Sequence, residues 1–152
     1  MIIASQWFSG QPAIFQTGVD FDTVRLARHH AREAVARLTA FGLEHRVGPI
    51  LGFCDTWLFF LPPGSDDEPW PTIATYSGPG HAVAIPPPHT TSDETTGLHW
   101  IRTHHDAGRH PTTLHDLDPF DDEGSLDHLW FTDPMILRTT LHAITDQHTG
   151  NR

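Results

Sequence analysis

Hydrophobic residues recur at helical spacing in two stretches of the chain. In residues 22–42, one side of a helix is apolar, with Asp22 or Thr23 placed to cap its start and Gly42 to stop its end. The second stretch, residues 132–147, starts with Asp133 as N-cap and a proline at the first helical position. The pattern therefore predicts two main helices. The apolar side of the first is formed by Val24, Ala27, Ala31, Ala34, Val35, Leu38 and Phe41.

Two nearly continuous apolar runs predict a buried hairpin. Residues 47–53 and 56–61 flank a turn at Cys54 and Asp55. Because apolar residues follow one another in such runs without polar alternation, the runs favour strands that are covered on both faces of a sheet.

Weaker patterns predict the remaining strands. Residues 72–76 and 81–85 are expected to pair as a hairpin around the turn "SGPG", and residues 98–103 predict a further strand. Residues 1–19 are expected to supply one or two more. The order of elements predicts an α+β fold, built on a mostly antiparallel sheet with two main helices.

The length of 152 residues and 38% hydrophobic content predict a single domain over residues 1–152 with an acidic, irregular segment at 104–131. There are 19 acidic residues against nine basic ones, all arginine, for a formal net charge of -10. This charge argues against tight non-specific binding to nucleic acid, which depends on basic residues that neutralise phosphates. The acidic segment itself is expected to be exposed, and it offers a surface for a basic protein partner.

The arginines are concentrated in the predicted first helix. Arg25, Arg28, Arg32 and Arg37 are expected on its outer face, with Glu33 placed to pair with Arg37 at i, i+4. This face either contacts a phosphate or a partner, or is simply a solvated helix exterior.

The sequence contains few signals for export or membrane insertion. Cys54 is the single cysteine, so no intrachain disulfide forms, and it is expected as a buried thiol. The start of the chain lacks the features of a signal peptide, and no apolar stretch approaches the ~20 residues that span a bilayer. We therefore expect a soluble, cytoplasmic protein without membrane association.

Three short motifs occur in an order and spacing that resemble a known family. They are "LFFLPPG" (58–64), "GPGHAVAIPPP" (78–88) and "GLHWI" (97–101). Together they resemble the bifunctional DNA primase/polymerase N-terminal domain, and in particular small stand-alone actinobacterial proteins grouped with it. The resemblance covers most of residues 20–145 and implies a primase/polymerase-like fold.

The resemblance also implies where a nucleotide and its metal ions would bind. Asp20 and Asp22 of "VDFD" match a metal-binding carboxylate pair, for which Mg²⁺ or Mn²⁺ would be the cofactor. The alternative for these residues is that Asp22 caps the helix and Asp20 is solvated. Nucleotide or phosphate contacts are expected from the glycine turn and the arginine face; the alternative is a turn that only requires glycine. The contact residues would be Arg25, Arg28, Arg32, Ser77, Gly78, Gly80 and His81.

Two family positions depart from the catalytic pattern. Trp57 stands where the family has a histidine, and no acid occurs near Ala74 and Thr75, where a third carboxylate is expected. An indole has one donor and no acceptor, so it replaces an imidazole in neither role. We therefore expect a degenerate, non-catalytic domain with a regulatory role in binding a nucleotide or a partner.

Two other functions stay open on the sequence. One is an active metal-dependent nucleotidyltransferase that uses Asp20 and Asp22, with another carboxylate recruited from residues 116–127. The other is a protein-interaction module that acts through the acidic segment. The histidine-rich stretch "THHDAGRH" (103–110), with His99 and His115 nearby, is either a transition-metal site or a solvated polar loop.

Overall fold

The computed structural model describes residues 13–86, 97–102 and 131–150. Within these ranges the fold is α+β, as the sequence predicts. Neither helix in these ranges combines the length and apolar character that crossing a membrane requires. In chain order the elements are β1 (Ala13–Gln16), β2 (Asp22–Ala27), α1 (Arg28–Ala40), β3 (Ile50–Phe53), β4 (Thr56–Leu61), β5 (Ala74–Ser77), β6 (Ala82–Ile85), β7 (Leu98–Arg102) and α2 (Pro134–Gly150).

The strands form two antiparallel sheets. A five-stranded sheet has the order β5-β2-β4-β3-β7, and β1 pairs with β6 as a separate two-stranded ribbon. The helices cover one face of the larger sheet, where Phe59 packs with Leu137 and Leu141. On the other face Phe60 packs with Phe15 of the ribbon. Strand β4 is thus covered on both faces, which explains its continuous apolar run.

The start of α2 is the cap that the sequence predicts. The Asp133 carboxylate accepts hydrogen bonds from the backbone N–H groups of Met135 and Ile136, at 3.1 and 3.3 Å. These contacts satisfy two of the N–H groups that a helix start leaves without intrahelical partners. The predicted hairpin around Cys54 and Asp55 is also present, because β3 pairs with β4.

The predicted start of the first helix is wrong. Residues 22–27 form the strand β2, and α1 begins only at Arg28, with Ala27 as an N-cap that makes no side-chain hydrogen bond. Val24 fits both a strand and a helix pattern, but β2 is paired with β4 on one side and β5 on the other. Pairing on both sides supplies the tertiary context that overrides local helix propensity.

The predicted hairpin of residues 72–76 with 81–85 is also wrong. Strand β5 pairs with β2, and β6 pairs with β1, so the two do not pair with each other. The turn between them carries the chain from the sheet to the ribbon. Gly80 in this turn has a φ of +95°, a conformation that glycine adopts readily and other residues do not.

Cys54 is exposed, contrary to the prediction of a buried thiol. It lies in the two-residue turn between β3 and β4, with a φ of +54°. It is the one non-glycine residue with positive φ among the described residues. A residue with a Cβ is strained in this left-handed region.

Replacing Cys54 by glycine is therefore expected to stabilise the fold. Removal of the strain raises the free energy of unfolding by about 1–2 kcal/mol. The larger conformational entropy of glycine in the unfolded chain offsets about half of this gain, which leaves about 0.5–1 kcal/mol. Urea unfolding would measure the gain. Cys54→Ala is the control, since it removes the thiol and keeps the Cβ. An equal gain from alanine would contradict the strain argument.

Candidate functional site

The turn between β1 and β2 lies directly against the "GPG" turn. The Thr17 hydroxyl donates to the Gly78 carbonyl and accepts from the His81 N–H at 3.2 Å. Gly18 has a φ of +91°, and a Cβ there would lie 2.4 Å from Pro79 Cα. The tight glycine turn thus serves a close backbone contact within the protein, and its His81 N–H is already used.

Asp22 is the first residue of β2, and it is buried, with 1% of its surface exposed. One carboxylate oxygen, Oδ2, accepts hydrogen bonds from the Gly64 N–H at 2.8 Å and from the Tyr76 hydroxyl. The other, Oδ1, has no hydrogen-bond partner among the residues that the structure describes. Asp22 therefore does not cap a helix; its carboxylate joins the loop after β4 and the edge strand β5 to β2.

Tyr76 is the single tyrosine of the chain, and its environment holds it in the protonated form. Burial, the hydrogen bond to Asp22 and the negative charges of Asp22 and Asp66 all raise the pKa of Tyr76 well above its ordinary value. The phenol consequently remains a donor to Asp22 across the physiological pH range.

Asp20 does not share a strand face with Asp22. It lies in the turn before β2 and is partly exposed, whereas Asp22 is the first strand residue. The side-chain alternation that the sequence prediction used therefore does not apply to the pair. No group of three metal-ligating side chains suited to a metal ion occurs within residues 13–86, 97–102 and 131–150. These residues do not fit a two-metal centre for Mg²⁺ or Mn²⁺.

A polar network that the sequence analysis missed adjoins Asp22. Arg138 of α2 is buried, and its guanidinium donates to the Ser65 carbonyl at 2.7 Å and to the Asp67 carboxylate at 3.0 Å. Its Cζ lies 4.8 Å from the centroid of the Trp70 ring, which in turn stacks on Tyr76. The sequence contained one signal for this network, namely that Arg138 lies next to the apolar stripe of the second helix.

The arginines predicted to share one helix face are separated by the structure. Arg25 lies on β2, where it is exposed and paired in register with Thr75 of β5. Arg28 begins α1 and forms a salt bridge of 2.9 Å with Asp55. Arg28 lies six positions after Asp22, about 20 Å away at the usual rise of a strand. Arg32 is exposed further along α1.

Arg37 makes the intrahelical pair that the sequence predicts. Its guanidinium donates to Glu33 at 2.7 Å and also to Gln147 of α2, so the pair joins the two helices. Phe41, predicted on the apolar side of the first helix, lies beyond the end of α1 and is 78% exposed. With the exposed Met135 it borders an apolar groove of about 360 Å³ between the helices.

Several predicted residues share one face of the sheet. Val24 and Leu26 pack toward the helices, so Arg25 points to the opposite face, the one that also carries the ribbon. The pairing of Arg25 with Thr75 and of Thr23 with Ser77 places Ser77 on that same face. Ser77 leads into the turn that contains Gly78, Gly80 and His81. The structure thus brings Arg25 and the turn together, and leaves Arg28 and Arg32 apart.

No family model matches the chain, and neither the curated proteins nor the solved structures contain a match. The likeness to primase/polymerase domains thus stays a prediction from the sequence motifs.

Two predicted surfaces lie outside the described residues. They are the histidine-rich stretch 103–110 and the acidic segment, apart from Phe131 at its end. His99, which was grouped with the first, lies in β7, where its Nδ1 is 3.3 Å from the Gly97 carbonyl oxygen.

Proposed function

We propose that the chain is a non-catalytic, primase/polymerase-like domain that binds a nucleotide in a regulatory role. The observation that carries the proposal is the state of Asp22. Its carboxylate is buried and holds the Gly64 N–H and the Tyr76 hydroxyl. Two-metal phosphoryl transfer needs carboxylates that present their oxygens to the ions. A carboxylate that is used within the fold does not do so.

The positions that depart from the catalytic pattern support the same proposal. Trp57 is packed against the core cluster beneath the helices, where the indole has a structural role. Ala74 and Thr75, where a third acid is expected, lie on the edge strand β5 and carry no carboxylate. The described residues therefore supply few ligands for two metal ions.

The binding part of the proposal depends on Arg25. Its guanidinium is exposed on the sheet face that also carries Thr75 and Ser77, and Ser77 leads to the exposed His81. A guanidinium with neighbouring hydroxyl donors suits a phosphate group, since arginine matches phosphate geometry with two parallel hydrogen bonds. Because the chain has a net charge of -10, a phosphate is attracted only near Arg25 and not by the protein surface as a whole.

Calorimetry with ATP tests the binding face. Arg25→Ala is expected to weaken ATP binding by about tenfold, the effect of losing one charge-assisted hydrogen bond. Arg28→Ala is the matched control, because Arg28 is equally basic but begins α1, beyond the end of β2, and is paired with Asp55. The ATP affinity of this variant should change by less than about twofold. The absence of ATP binding at millimolar concentration, or equal losses in both variants, would contradict the proposal.

A second candidate is the active metal-dependent nucleotidyltransferase. The observation in its favour is Asp22 Oδ1, a buried acceptor without a hydrogen-bond partner among the described residues. Primer extension with Mn²⁺ separates the two functions, and we expect no incorporation by the unmodified protein. Incorporation that disappears in Asp20→Ala, a change in an external turn, would establish the active enzyme instead.

A further inference from the structure

Histidines occupy the positions where the facing sides of the two helices end. On α1 the buried stripe begins with Ala31 and Ala34, and His30 lies one helical turn before Ala34. On α2 the buried stripe ends with Ile144, and His148 lies one turn after it. The apolar contact between the helices therefore ends in two imidazoles, which pack well as neutral rings and poorly as cations.

The imidazoles at this junction are close together. The ring centroid of His30 lies 5.8 Å from that of His148 and 3.9 Å from that of His29. Two protonated rings at such separations repel each other, and three repel more strongly. The cluster consequently favours the state in which at least some of its members are neutral.

Among the described residues, one carboxylate faces the histidine cluster, that of Glu33. The guanidinium of Arg37 already neutralises this carboxylate. Glu33 Oε2 lies 3.7 Å from His148 Nε2, while Glu33 Oε1 accepts a hydrogen bond of 2.7 Å from Arg37. The bond from Arg37 holds the pKa of Glu33 below its usual range. The one negative charge of Glu33 is therefore shared between Arg37 and the histidine cluster.

The other charges near the junction add to the cost of protonation. Arg28 occupies the first position of α1, and its partner Asp55 belongs to the β3–β4 turn. The first turn of α1 contains no acidic residue, and Arg32 is exposed one turn further on. Because a helix start carries partial positive charge, a further cation at the start of α1 is unfavourable, and the partial negative charge at the C-terminal end of α2 offsets only part of this cost. Asp146 is exposed on α2, about 200° around the helix from His148.

We propose that the contact between the start of α1 and the last turn of α2 is an acid-sensitive junction, which loosens when His30 takes up a proton. Burial first, and then the charges of His29 and His148, lower the pKa of His30 below 6.5; Glu33 opposes them. The separated state, in which His30 regains its ordinary pKa, therefore binds more protons than the packed state. The junction is at full strength above about pH 6.5 and weakens as the pH falls through the pKa of the packed His30.

Amide hydrogen exchange in the last turn of α2, residues 145–150, tests the proposal. After correction for intrinsic exchange, the opening equilibrium of this turn is expected to rise several-fold between pH 7.5 and pH 5, because the opened state binds more protons than the packed state. His30→Gln and His148→Gln keep a polar side chain that does not titrate, and each should reduce the rise to about twofold or less.

His142→Gln is the matched control. His142 is on the same helix, but its Nε2 faces the Pro69 carbonyl at 3.3 Å, away from the junction. This variant should retain the full response to acid. His148 is 62% exposed, so His148→Gln is expected to fold even if His30→Gln does not. An acid response that is absent in the unmodified protein, persists in His148→Gln or disappears in His142→Gln would overturn the proposal.

Discussion

Replacing Asp22 by alanine is expected to lower the free energy of unfolding by about 3 kcal/mol, a loss usually associated with core residues. The change removes two hydrogen bonds to a carboxylate, one from the partly buried Tyr76 hydroxyl and one from the Gly64 N–H. Hydrogen bonds to charged groups contribute about 1.5–3 kcal/mol each. Removal of Oδ1, a buried acceptor without a hydrogen-bond partner among the described residues, partly offsets this loss and leaves a net cost of about 3 kcal/mol. Urea unfolding at pH 7 would measure the loss.

A double-mutant cycle assigns that loss to the hydrogen bond. Tyr76→Phe removes the donor, and Asp22→Ala removes the acceptor. If the two side chains act as a unit, we expect a coupling energy of at least about 1 kcal/mol between them. If Asp22→Ala lowers the free energy of unfolding by less than about 0.5 kcal/mol, the Asp22 carboxylate does not stabilise the fold. The case for an active metal site would then become stronger.

The elements that the sequence predicts well have local signals. Asp133 and Pro134 mark the start of α2 without reference to the rest of the chain, and the structure confirms the cap. The hairpin of β3 and β4 is also local, because two apolar runs flank a two-residue turn. The pair of Glu33 and Arg37 depends only on helical spacing.

The elements that the sequence predicts wrongly depend on distant partners. Val24 and Leu26 alternate as a strand requires, but Val24 is also spaced from Ala27 and Ala31 as a helix requires. The choice is made by β4 and β5, which pair with β2 from far along the chain. The hairpin predicted for β5 and β6 fails for the same reason, since the ribbon partner of β6 lies near residue 13.

The candidate site shows the same division. The glycine turn and Arg25 are recognisable in the sequence, and the structure places them on one side of the sheet. That Asp22 faces the helices and accepts hydrogen bonds from Tyr76 and Gly64 depends on strand pairing and on the loop that follows β4. Residue type alone does not distinguish a carboxylate that binds metal from one that accepts two internal hydrogen bonds.

Gly18→Ala is the second change with a large expected effect, because two backbone segments meet at this residue. A Cβ at Gly18 would lie 2.4 Å from Pro79 Cα, so the β1–β2 turn and the "GPG" turn would have to separate. A positive φ costs about 1–2 kcal/mol for a residue with a Cβ, and forced overpacking adds about 1–3 kcal/mol. We expect a total loss of about 3 kcal/mol in unfolding free energy, measured by urea denaturation.

Gly80→Ala separates the two contributions. Gly80 has a similar φ of +95°, but a Cβ there would meet no described atom within 4 Å. It should therefore show only the conformational cost, about 1–2 kcal/mol. The contact also supports the proposed binding face, since it holds His81 beside the sheet through Thr17. Gly18→Ala should accordingly weaken ATP binding even where the protein remains folded, whereas equal stability losses in the two variants would exclude a tight contact between the turns.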